Sequence, residues 1–360
     1  MVGGGAIGLA CAFSLAGQGH SITLLDASGT RGASWAAAGM LAPVSEAAFG
    51  EIELTRLNLA AVAEFAAFAA GLDADVGLRA EGTLVVAFNS DDRAALERLS
   101  AYRDSLGLAT VRLSGREARK AEPYLAGEVR AGVLAEGDLS VDNRRYLAAL
   151  LAGCRRRGVQ VRAEEVGGLD GNRARTASGA EYPFEIAVVC SGAASSALVP
   201  VPVQPVKGQI VRLAVPSRLG TVLTRTVRGL VRGSEVYLVP RAGGELVVGA
   251  TSEQQGFDTT VTAGGVYELL RNAYELLPIS SECEFVEARA GSRPGTPDNG
   301  PLLGWARPGV LIATGHYRNG ILLSASTARA VTAMVAGQPA GAEWEPFGLD
   351  RFEQRVTQCR

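Results

Sequence analysis

Apolar and polar residues alternate along the chain with two different spacings, one typical of helices and the other typical of strands. Apolar residues recur with helical spacing in several stretches, which predicts helices at 6–18, 51–70, 90–106, 142–157, 266–277 and 321–335. Ser114 and Glu117 have the spacing of a capping box, which predicts a further short helix. Short apolar or alternating runs predict strands at 21–26, 159–163, 186–190, 208–215, 227–231, 235–239, 245–249 and 310–313, and a hairpin over 78–88 that turns at Glu81-Gly82. Strands and helices alternate at both ends of the chain, whereas residues 206–250 are mainly strands. This order predicts a mixed α/β (α+β) protein.

A glycine-rich turn stands at the beginning of the chain. Gly3, Gly5 and Gly8 form a G-x-G-x-x-G motif that opens the predicted helix 6–18, and the strand after that helix ends at Asp26. In a dinucleotide-binding βαβ unit the glycines permit a tight turn, approach of the pyrophosphate and close packing of helix on strand, while the acid binds the ribose hydroxyls. The motif therefore predicts a dinucleotide cofactor, without deciding between NAD and FAD.

The strand expected before this turn is nearly absent from the sequence. A central, buried first strand needs about five apolar residues, yet only Met1 and Val2 precede Gly3. We expect the protein to begin upstream of Met1. The alternative is a first strand that is reduced to a stub.

The interleaved pattern predicts two domains, each built from separated segments. Residues 1–77, 137–205 and 281–360 are assigned to the cofactor-binding domain. Residues 78–136 and 206–280 are assigned to a substrate domain with a mixed, largely antiparallel sheet. A chain of 360 residues is long enough for two such domains.

Two further glycine-containing stretches near the end each include an arginine. They are 291–298, with Arg293, and 315–322, with Arg318, and the second lies between a predicted strand and a predicted helix. A guanidinium group presents a fork of donors that matches a carboxylate. A strand–glycine–helix junction directs backbone N–H groups and the positive end of the helix dipole at a ligand. We infer a site that holds an electron-rich cofactor edge beside a small carboxylate substrate.

Composition and charge exclude several classes of protein. The 35 basic and 37 acidic residues give a net charge of −2, which provides no basic field for nucleic acid. No uncharged apolar run reaches the ~18 residues that a membrane-spanning helix needs. The five cysteines are scattered without C-x-x-C spacing, and His20 and His316 are the only histidines. We therefore expect reduced thiols in a cytoplasmic protein, and no metal site.

Four motifs stand in an order that is specific to one family. They are SWAAAGMLAP at 34–43, PVKGQ at 205–209, RPGTPD at 293–298 and HYRNG at 316–320. Over essentially its full length the chain resembles the glycine oxidases, which are FAD enzymes of the D-amino-acid-oxidase-like family. Arg318 separates it from D-amino-acid dehydrogenases, and no cysteine between Cys283 and Cys359 matches the covalent flavin attachment of sarcosine oxidases. Asp26 departs from the family pattern, which has Glu there.

The resemblance implies a Rossmann-like domain that binds FAD without a covalent bond, and it assigns residues to both ligands. The residues implied to bind FAD are Gly3, Gly5, Ala6, Ile7, Gly8, Asp26, Ala27, Ala33, Ser34, Ala38, Gly39, Met40, Val166, Gly192, His316, Tyr317, Arg318, Asn319, Gly320, Ile321 and Leu322. Arg293 is implied to bind the substrate carboxylate, with Tyr237 as a hydroxyl donor and Arg318 as a further catalytic residue.

Five of these residues have a simpler alternative role. Arg293 fits a surface ion pair, and Tyr237 fits packing within a sheet. Arg318 fits a loop contact, Met40 fits core packing, and His316 fits a structural hydrogen bond.

The implied reaction is oxidative deamination of glycine and other small amines, such as sarcosine and small D-amino acids, by O2. Its products are the imino acid, which hydrolyses to glyoxylate and ammonia, and hydrogen peroxide; the imine is a candidate precursor of the thiamine thiazole. Two other functions stay open: a D-amino-acid or proline-type flavin dehydrogenase that passes electrons to a quinone, and a non-catalytic flavin-binding protein. We expect a small amino acid and O2 as partners, no nucleic acid or membrane, and a homo-oligomer.

Overall fold

The computed structural model of the protein describes residues 1–231 and 233–352. Residues 353–360 of the predicted cofactor-binding segment, and with them Cys359, lie outside the described residues. Short 3-10 helices connect the main elements at Gly192–Ala197, Ser217–Leu219, Pro278–Glu282, Ala342–Phe347 and Leu349–Phe352.

The α-helices begin close to where the apolar periodicity begins, and side-chain caps fix several of the starts. Asn89, Asp142 and Thr262 accept backbone N–H groups at three of them, and Ser114 with Glu117 forms the predicted capping box. The α-helices of the described residues are α1 (Ala6–Gly17), α2 (Ala33–Ala36), α3 (Ile52–Ala70), α4 (Ser90–Ser105), α5 (Gly115–Ala121), α6 (Asn143–Arg156), α7 (Ala263–Leu276) and α8 (Ser324–Val335).

The strands are short near the beginning of the chain and longer after residue 200. They are β1 (Thr23–Leu25), β2 (Met40–Leu41), β3 (Thr83–Ala87), β4 (Val111–Ser114), β5 (Ala131–Ala135), β6 (Leu139–Ser140), β7 (Gln160–Arg162), β8 (Val166–Asp170), β9 (Arg173–Thr176), β10 (Glu181–Pro183), β11 (Ala187–Val189), β12 (Gln204–Ala214), β13 (Thr226–Val231), β14 (Ser234–Pro240), β15 (Glu245–Gly249), β16 (Glu284–Gly295), β17 (Leu302–Arg307) and β18 (Val310–Thr314).

A mainly parallel sheet forms around Val2. On one side β1 pairs in parallel with β7, and on the other β11 pairs in parallel with β18, which is followed by antiparallel β17. Val2 bridges Leu25 on one side and Val189 on the other, so the first strand of this Rossmann-like sheet is one bridged residue in the described structure. Helices α1 and α8 pack together over a core that includes Leu24 and Leu311.

An eight-stranded sheet forms the second part of the fold, in the order β16-β12-β15-β14-β13-β3-β5-β4. Its neighbours are antiparallel except for β13 and β3, as predicted for a mixed, largely antiparallel sheet. Helix α7 packs on it over buried residues such as Leu213, Val248 and Leu269. Strand β16, which the boundary predicted at residue 281 assigns to the cofactor-binding domain, pairs along its length with β12 in this sheet. The division into domains stays a prediction.

Two local predictions differ from the structure. The hairpin predicted over 78–88 is wrong, because Arg79 pairs with Ser140 while β3 pairs with β5 and β13. The turn at Glu81-Gly82 thus separates two segments with different partners. The helix predicted to begin at 321 begins at Ser324, because the preceding residues form turns in which the Ile321 carbonyl accepts the Ser324 N–H.

The described residues contain no helix that is long and apolar enough to cross a membrane. They also contain no group of three or more His, Cys, Asp or Glu side chains that could hold a metal ion. Cys11, Cys154 and Cys190 are buried free thiols, and Cys283 is a half-buried one.

Candidate active site

A large cavity is lined by residues of both sheets. Its volume is about 1280 Å³, which exceeds the ~300–1,000 Å³ of pockets that bind drug-sized ligands. Glycine loop 3–7 and segment 26–40 line one part, and residues of β12, β14, β16 and loop 316–321 line another. A cavity of this size leaves room for a dinucleotide and a small substrate together.

The glycine loop has no room for side chains. Gly3 has a φ of +100°, and a Cβ added there would lie 2.5 Å from a backbone carbonyl oxygen. A Cβ on Gly8 would lie 1.9 Å from the Gly3 carbonyl oxygen, so α1 packs directly on the turn. The Ala6 N–H donates to Ser34 Oγ (3.1 Å), and the N-cap of α1 is Gly5, which has no side chain to cover the helix end. The positive end of α1 is thus available to an anion such as a pyrophosphate.

Asp26 follows β1 on the cavity wall and is engaged by its own loop. Its carboxylate accepts the N–H groups of Gly4 (3.1 Å) and Thr30 (2.7 Å) and the hydroxyl of Ser28. A hydroxyl donates one proton, so these donors use three of the roughly four acceptor positions of a carboxylate. One position remains for a ribose hydroxyl.

His316 is a buried, structural side chain in the loop after β18. Its Nε2 lies 3.0 Å from Thr327 Oγ1, and that hydroxyl donates to the Leu323 carbonyl (2.7 Å). Because the threonine proton is used, we infer that His316 Nε2 carries a proton and donates. Burial lowers the pKa of His316 to about 3, so the imidazole is neutral at pH 7. The side chain anchors the loop on α8.

The residues on either side of His316 have unusual backbone conformations. Gly315 has a φ of +73° and Tyr317 a φ of +45°, a region that residues other than glycine seldom adopt. The Tyr317 N–H donates to the Pro294 carbonyl (3.1 Å), which ties this loop to the end of β16. Such conformations concentrate at functional sites.

Arg293 presents its guanidinium from β16 to the cavity. Its Nη1 donates to the Thr251 carbonyl (3.1 Å). A Cβ on Gly208, in the neighbouring strand β12, would lie 2.3 Å from the same nitrogen, so glycine at that position makes the space for the guanidinium. A guanidinium has five N–H donors, and those beyond the Thr251 contact can form a bidentate pair with a carboxylate.

Tyr237 in β14 stands beside Arg293. Burial raises the pKa of its phenol above the ordinary value, while the charge of the nearby Arg293 guanidinium acts in the opposite direction. A Cβ on Gly249, the cross-strand partner of Tyr237 in β15, would lie 2.3 Å from the phenol oxygen. The glycine therefore allows the tyrosine to lie over β15, and the protonated phenol can donate to a substrate.

Most residues predicted to bind cofactor or substrate line the same cavity. On its wall are Gly3, Gly5, Ala6, Ile7, Asp26, Ala27, Ala33, Ser34, Ala38, Gly39, Met40, Val166, Gly192, Tyr237, Arg293, His316, Tyr317, Arg318, Gly320 and Ile321. Gly8, Asn319 and Leu322 are described but lie outside that wall. Gly8 packs on the turn, Asn319 is buried, and Leu322 belongs to the apolar core. Arg318 is exposed, with its guanidinium carbon 5.2 Å from the ring centre of Tyr317.

The cavity wall also includes charged residues that the sequence does not reveal. Arg228 in β13 donates through Nη1 to Glu46 Oε1 (2.9 Å), and its Nη2 lies 3.7 Å from Glu235 Oε2. Arg103 from α4 lies on the wall as well. None of them belongs to a motif, and Arg228 reaches the site only because the register of β13 and β14 places it opposite Tyr237.

Comparison with known proteins identifies the family. Residues 1–334 match the FAD-dependent oxidoreductase family DAO. The chain belongs to this family. Its cofactor is therefore FAD, and the cavity fits that group: the glycine loop has no side chains to obstruct a pyrophosphate, the N-cap residue of α1 has no side chain, and Asp26 keeps one acceptor position free.

Individual relatives agree with the predicted resemblance and fold class. The chain is 34% identical to the glycine oxidase of Geobacillus kaustophilus (strain HTA426), over 99% of this chain and 97% of that protein. It is 31% identical to the putative thiamine biosynthesis oxidoreductase ThiO of Rhizobium etli, over 94% of this chain and 97% of that protein. The crystal structure of glycine oxidase from Geobacillus kaustophilus superposes with a TM-score of 0.90 at 34% identity, over 97% of each chain.

Proposed function

We propose that the protein catalyses oxidative deamination of glycine and other small amines, such as sarcosine and small D-amino acids, by O2. The products are the imino acid, which hydrolyses to glyoxylate and ammonia, and hydrogen peroxide. When bound, FAD accepts the two electrons released from the substrate and passes them to O2. The observation that carries this proposal is the Arg293 guanidinium, seated over Gly208 beside the Tyr237 phenol in the cavity that also contains the glycine loop.

Arg293 and Tyr237 hold the substrate carboxylate in this proposal. A carboxylate held by a bidentate guanidinium and a hydroxyl donor leaves the α-carbon of a small amino acid in one orientation. His316, the histidine of the cavity wall, is neutral and engaged with Thr327, so the substrate amine enters unprotonated and positioning supplies the catalysis. Arg318, an exposed residue of the cavity wall, is proposed to contact the cofactor or the substrate.

The remaining cofactor contacts are part of the same proposal. FAD binds without a covalent bond, and Cys190, the cysteine on the described cavity wall, lies beside Gly3, where the nucleotide part is expected. The residues proposed to bind FAD are those predicted from the resemblance. Gly8, Asn319 and Leu322 act among them through packing, because they stand behind the wall.

A biosynthetic role, a cellular location and an assembly state complete the proposal. The name of the Rhizobium etli relative supports a role in thiamine biosynthesis, and four free thiols support a cytoplasmic location. Phe285 and Val286 are about half exposed on the edge strand β16, which supports a homo-oligomer whose second copy covers them. Light scattering on the purified protein measures the number of copies.

A single assay tests the reaction. Purified protein should be yellow, acid precipitation should release all of the flavin, and glycine should drive O2 consumption with peroxide and glyoxylate formed in equal amounts. If glycine or proline reduces the flavin but O2 is not consumed and a quinone is reduced instead, the protein is a dehydrogenase. A yellow protein whose flavin no small amine reduces is a non-catalytic flavin-binding protein.

A further inference from the structure

An ion pair on the cavity wall lies beside the proposed carboxylate site. Arg228 donates to Glu46 (2.9 Å), and both side chains are largely buried, with 15% and 11% of their surface exposed. Glu235, the second carboxylate near Arg228, is 69% exposed at 3.7 Å. Glu46 is therefore the main partner of a guanidinium that has been removed from water, and such a charge is costly to leave unpaired.

The sheet places Arg228 next to the substrate site. Arg228 and Tyr237 are cross-strand partners in β13 and β14, so their side chains project from the same face about 5 Å apart at Cβ. Tyr237 also interacts with Arg293. The phenol thus stands between two guanidinium groups, of which Arg293 is available to a carboxylate while Arg228 is held by Glu46.

The loop that carries Glu46 is fixed by buried charges on both sides. Asp138 accepts the N–H groups of Val44 (2.9 Å) and Ser45 (3.2 Å). Arg103 donates to the carbonyls of Ser45 and Ala47, on either side of Glu46. Asp138 is fully buried and Arg103 is 2% exposed. Because the loop is held through its backbone, the main chain of Glu46 stays in place beside Arg228 when a ligand approaches.

We propose that the Glu46–Arg228 pair determines substrate specificity by excluding amines that carry a second anionic group. Glu46 occupies the guanidinium that a second carboxylate would bind, and its own charge repels that carboxylate. Without the Glu46 charge, Arg228 becomes a second anion-binding residue, and the site accepts N-carboxymethyl amino acids such as iminodiacetate, which is glycine with a second carboxymethyl group on nitrogen. This inference rests on the proposed function, because Arg293 must bind the first carboxylate.

Opposite effects of the two halves of the pair provide the test. Glu46→Gln should raise the ratio of kcat/KM for iminodiacetate to that for glycine by about tenfold or more, since a charge-assisted hydrogen bond contributes on the order of one decade of affinity. Arg228→Gln should lower the same ratio, because Glu46 then repels the second carboxylate without compensation. The double variant should lose the gain of Glu46→Gln. Glu235→Gln is the matched control, and its effect should be much smaller because the carboxylate is exposed.

Ligand binding separates this proposal from the proposed reaction. Acetate and oxydiacetate, which has the two carboxylates of iminodiacetate but no amine, are titrated against the holoenzymes while the flavin absorbance is recorded. We expect Glu46→Gln to bind oxydiacetate about tenfold more tightly and acetate nearly unchanged. If wild type binds neither ligand and does not oxidise glycine, the proposed function fails, and this proposal with it.

Several outcomes would overturn the proposal while glycine oxidation stands. The first is a fall of the ratio of kcat/KM for iminodiacetate to that for glycine in both Glu46→Gln and Arg228→Gln, which indicates that the ion pair is purely structural. The second is a gain that survives in the double variant, which assigns the second carboxylate to Arg318. Melting temperature and flavin content are measured for every variant. If Glu46→Gln does not retain flavin, the proposal is judged on Arg228→Gln alone. An unchanged or higher ratio of kcat/KM for iminodiacetate to that for glycine in Arg228→Gln then rejects the proposal.

Discussion

The two parts of the cavity are built by opposite means. Where the nucleotide is expected, the sequence removes side chains: Gly3 and Gly8 leave only backbone, and a Cβ on either would collide with a carbonyl oxygen. Where the substrate is expected, the sequence supplies long side chains, and Arg293 and Tyr237 each lie over a glycine of a neighbouring strand. The first part is thus a property of one short segment. The second part depends on the register of four strands.

The strongest test of this contrast is a methyl group on Gly8, the glycine of α1 that packs on the glycine loop. Gly8→Ala should reduce bound FAD by at least about tenfold and destabilise the protein by ~1–3 kcal/mol or more, because its Cβ would lie 1.9 Å from the Gly3 carbonyl oxygen. Flavin content and melting temperature measure the two effects. Gly127→Ala is the control, since a Cβ there meets no atom within 4 Å and its φ lies outside the left-handed region. Equal flavin content in the two variants would contradict the close packing described for α1.

Removing the guanidinium tests the substrate part. Arg293→Ala should lower kcat/KM for glycine by at least about tenfold, because a charge-assisted bond to a carboxylate contributes ~1.5–3 kcal/mol. Flavin content should stay near wild type. Arg293→Lys should recover only part of the activity, since an ammonium lacks the planar fork. Intact glycine turnover in the alanine variant would place the carboxylate site elsewhere, with Arg318 as the first candidate.

A methyl group in the substrate part sharpens the comparison. Gly208→Ala should displace the Arg293 guanidinium, whose Nη1 lies 2.3 Å from the added Cβ. This is the far end of a flexible side chain, so we expect folding and flavin content to survive. kcat/KM for glycine should fall by about fivefold to tenfold, as partial loss of one charge-assisted bond predicts. Loss of flavin comparable to that of Gly8→Ala would mean that the two parts are not separable.

A smaller effect concerns His316 on the cavity wall, whose protonation should make the stability of the protein depend on pH. The folded pKa of His316, about 3, lies below its ordinary value of 6.5, so the unfolded chain binds the proton first as the pH falls. The free energy of unfolding should therefore decrease between pH 6.5 and about 3, by roughly 1.4 kcal/mol per pH unit. Denaturant titrations at pH 7 and 5.5 should show wild type losing about 1.3 kcal/mol more than His316→Gln. The same loss in both proteins would indicate that His316 is protonated in the folded state.

The sequence predicted the features that depend on neighbouring residues. Helix α1, its glycine turn and the capping box of Ser114 and Glu117 are all local, and the structure has them. The sequence pattern did not predict which strands pair when they lie far apart along the chain. The run 78–88 has the composition of a hairpin, but β3 finds its partners in β5 and β13, which lie far along the chain.

The same limit explains which site residues were missed. Arg293 stands in a motif, whereas Glu46 lies in an irregular loop and Arg228 in an ordinary strand. Arg228 reaches the site through its pairing with Tyr237, and Glu46 through a loop held by Asp138 and Arg103. Each of these contacts joins segments that are far apart along the chain, and no sequence motif connects them.

The hydrogen bond from the Tyr317 N–H to the Pro294 carbonyl limits how such an enzyme can change. It joins the backbone next to Arg293, the residue proposed to bind the carboxylate, to the loop proposed to contact the cofactor, so a shift of one displaces the other. A lineage that acquires a new substrate therefore has little freedom to move Arg293 itself. Change is easier on β13, β14 and the Glu46 loop, where side chains can be exchanged while the distance between cofactor and carboxylate stays fixed. Substrate specificity is therefore most easily altered, by selection or by design, through side chains of β13, β14 and the Glu46 loop.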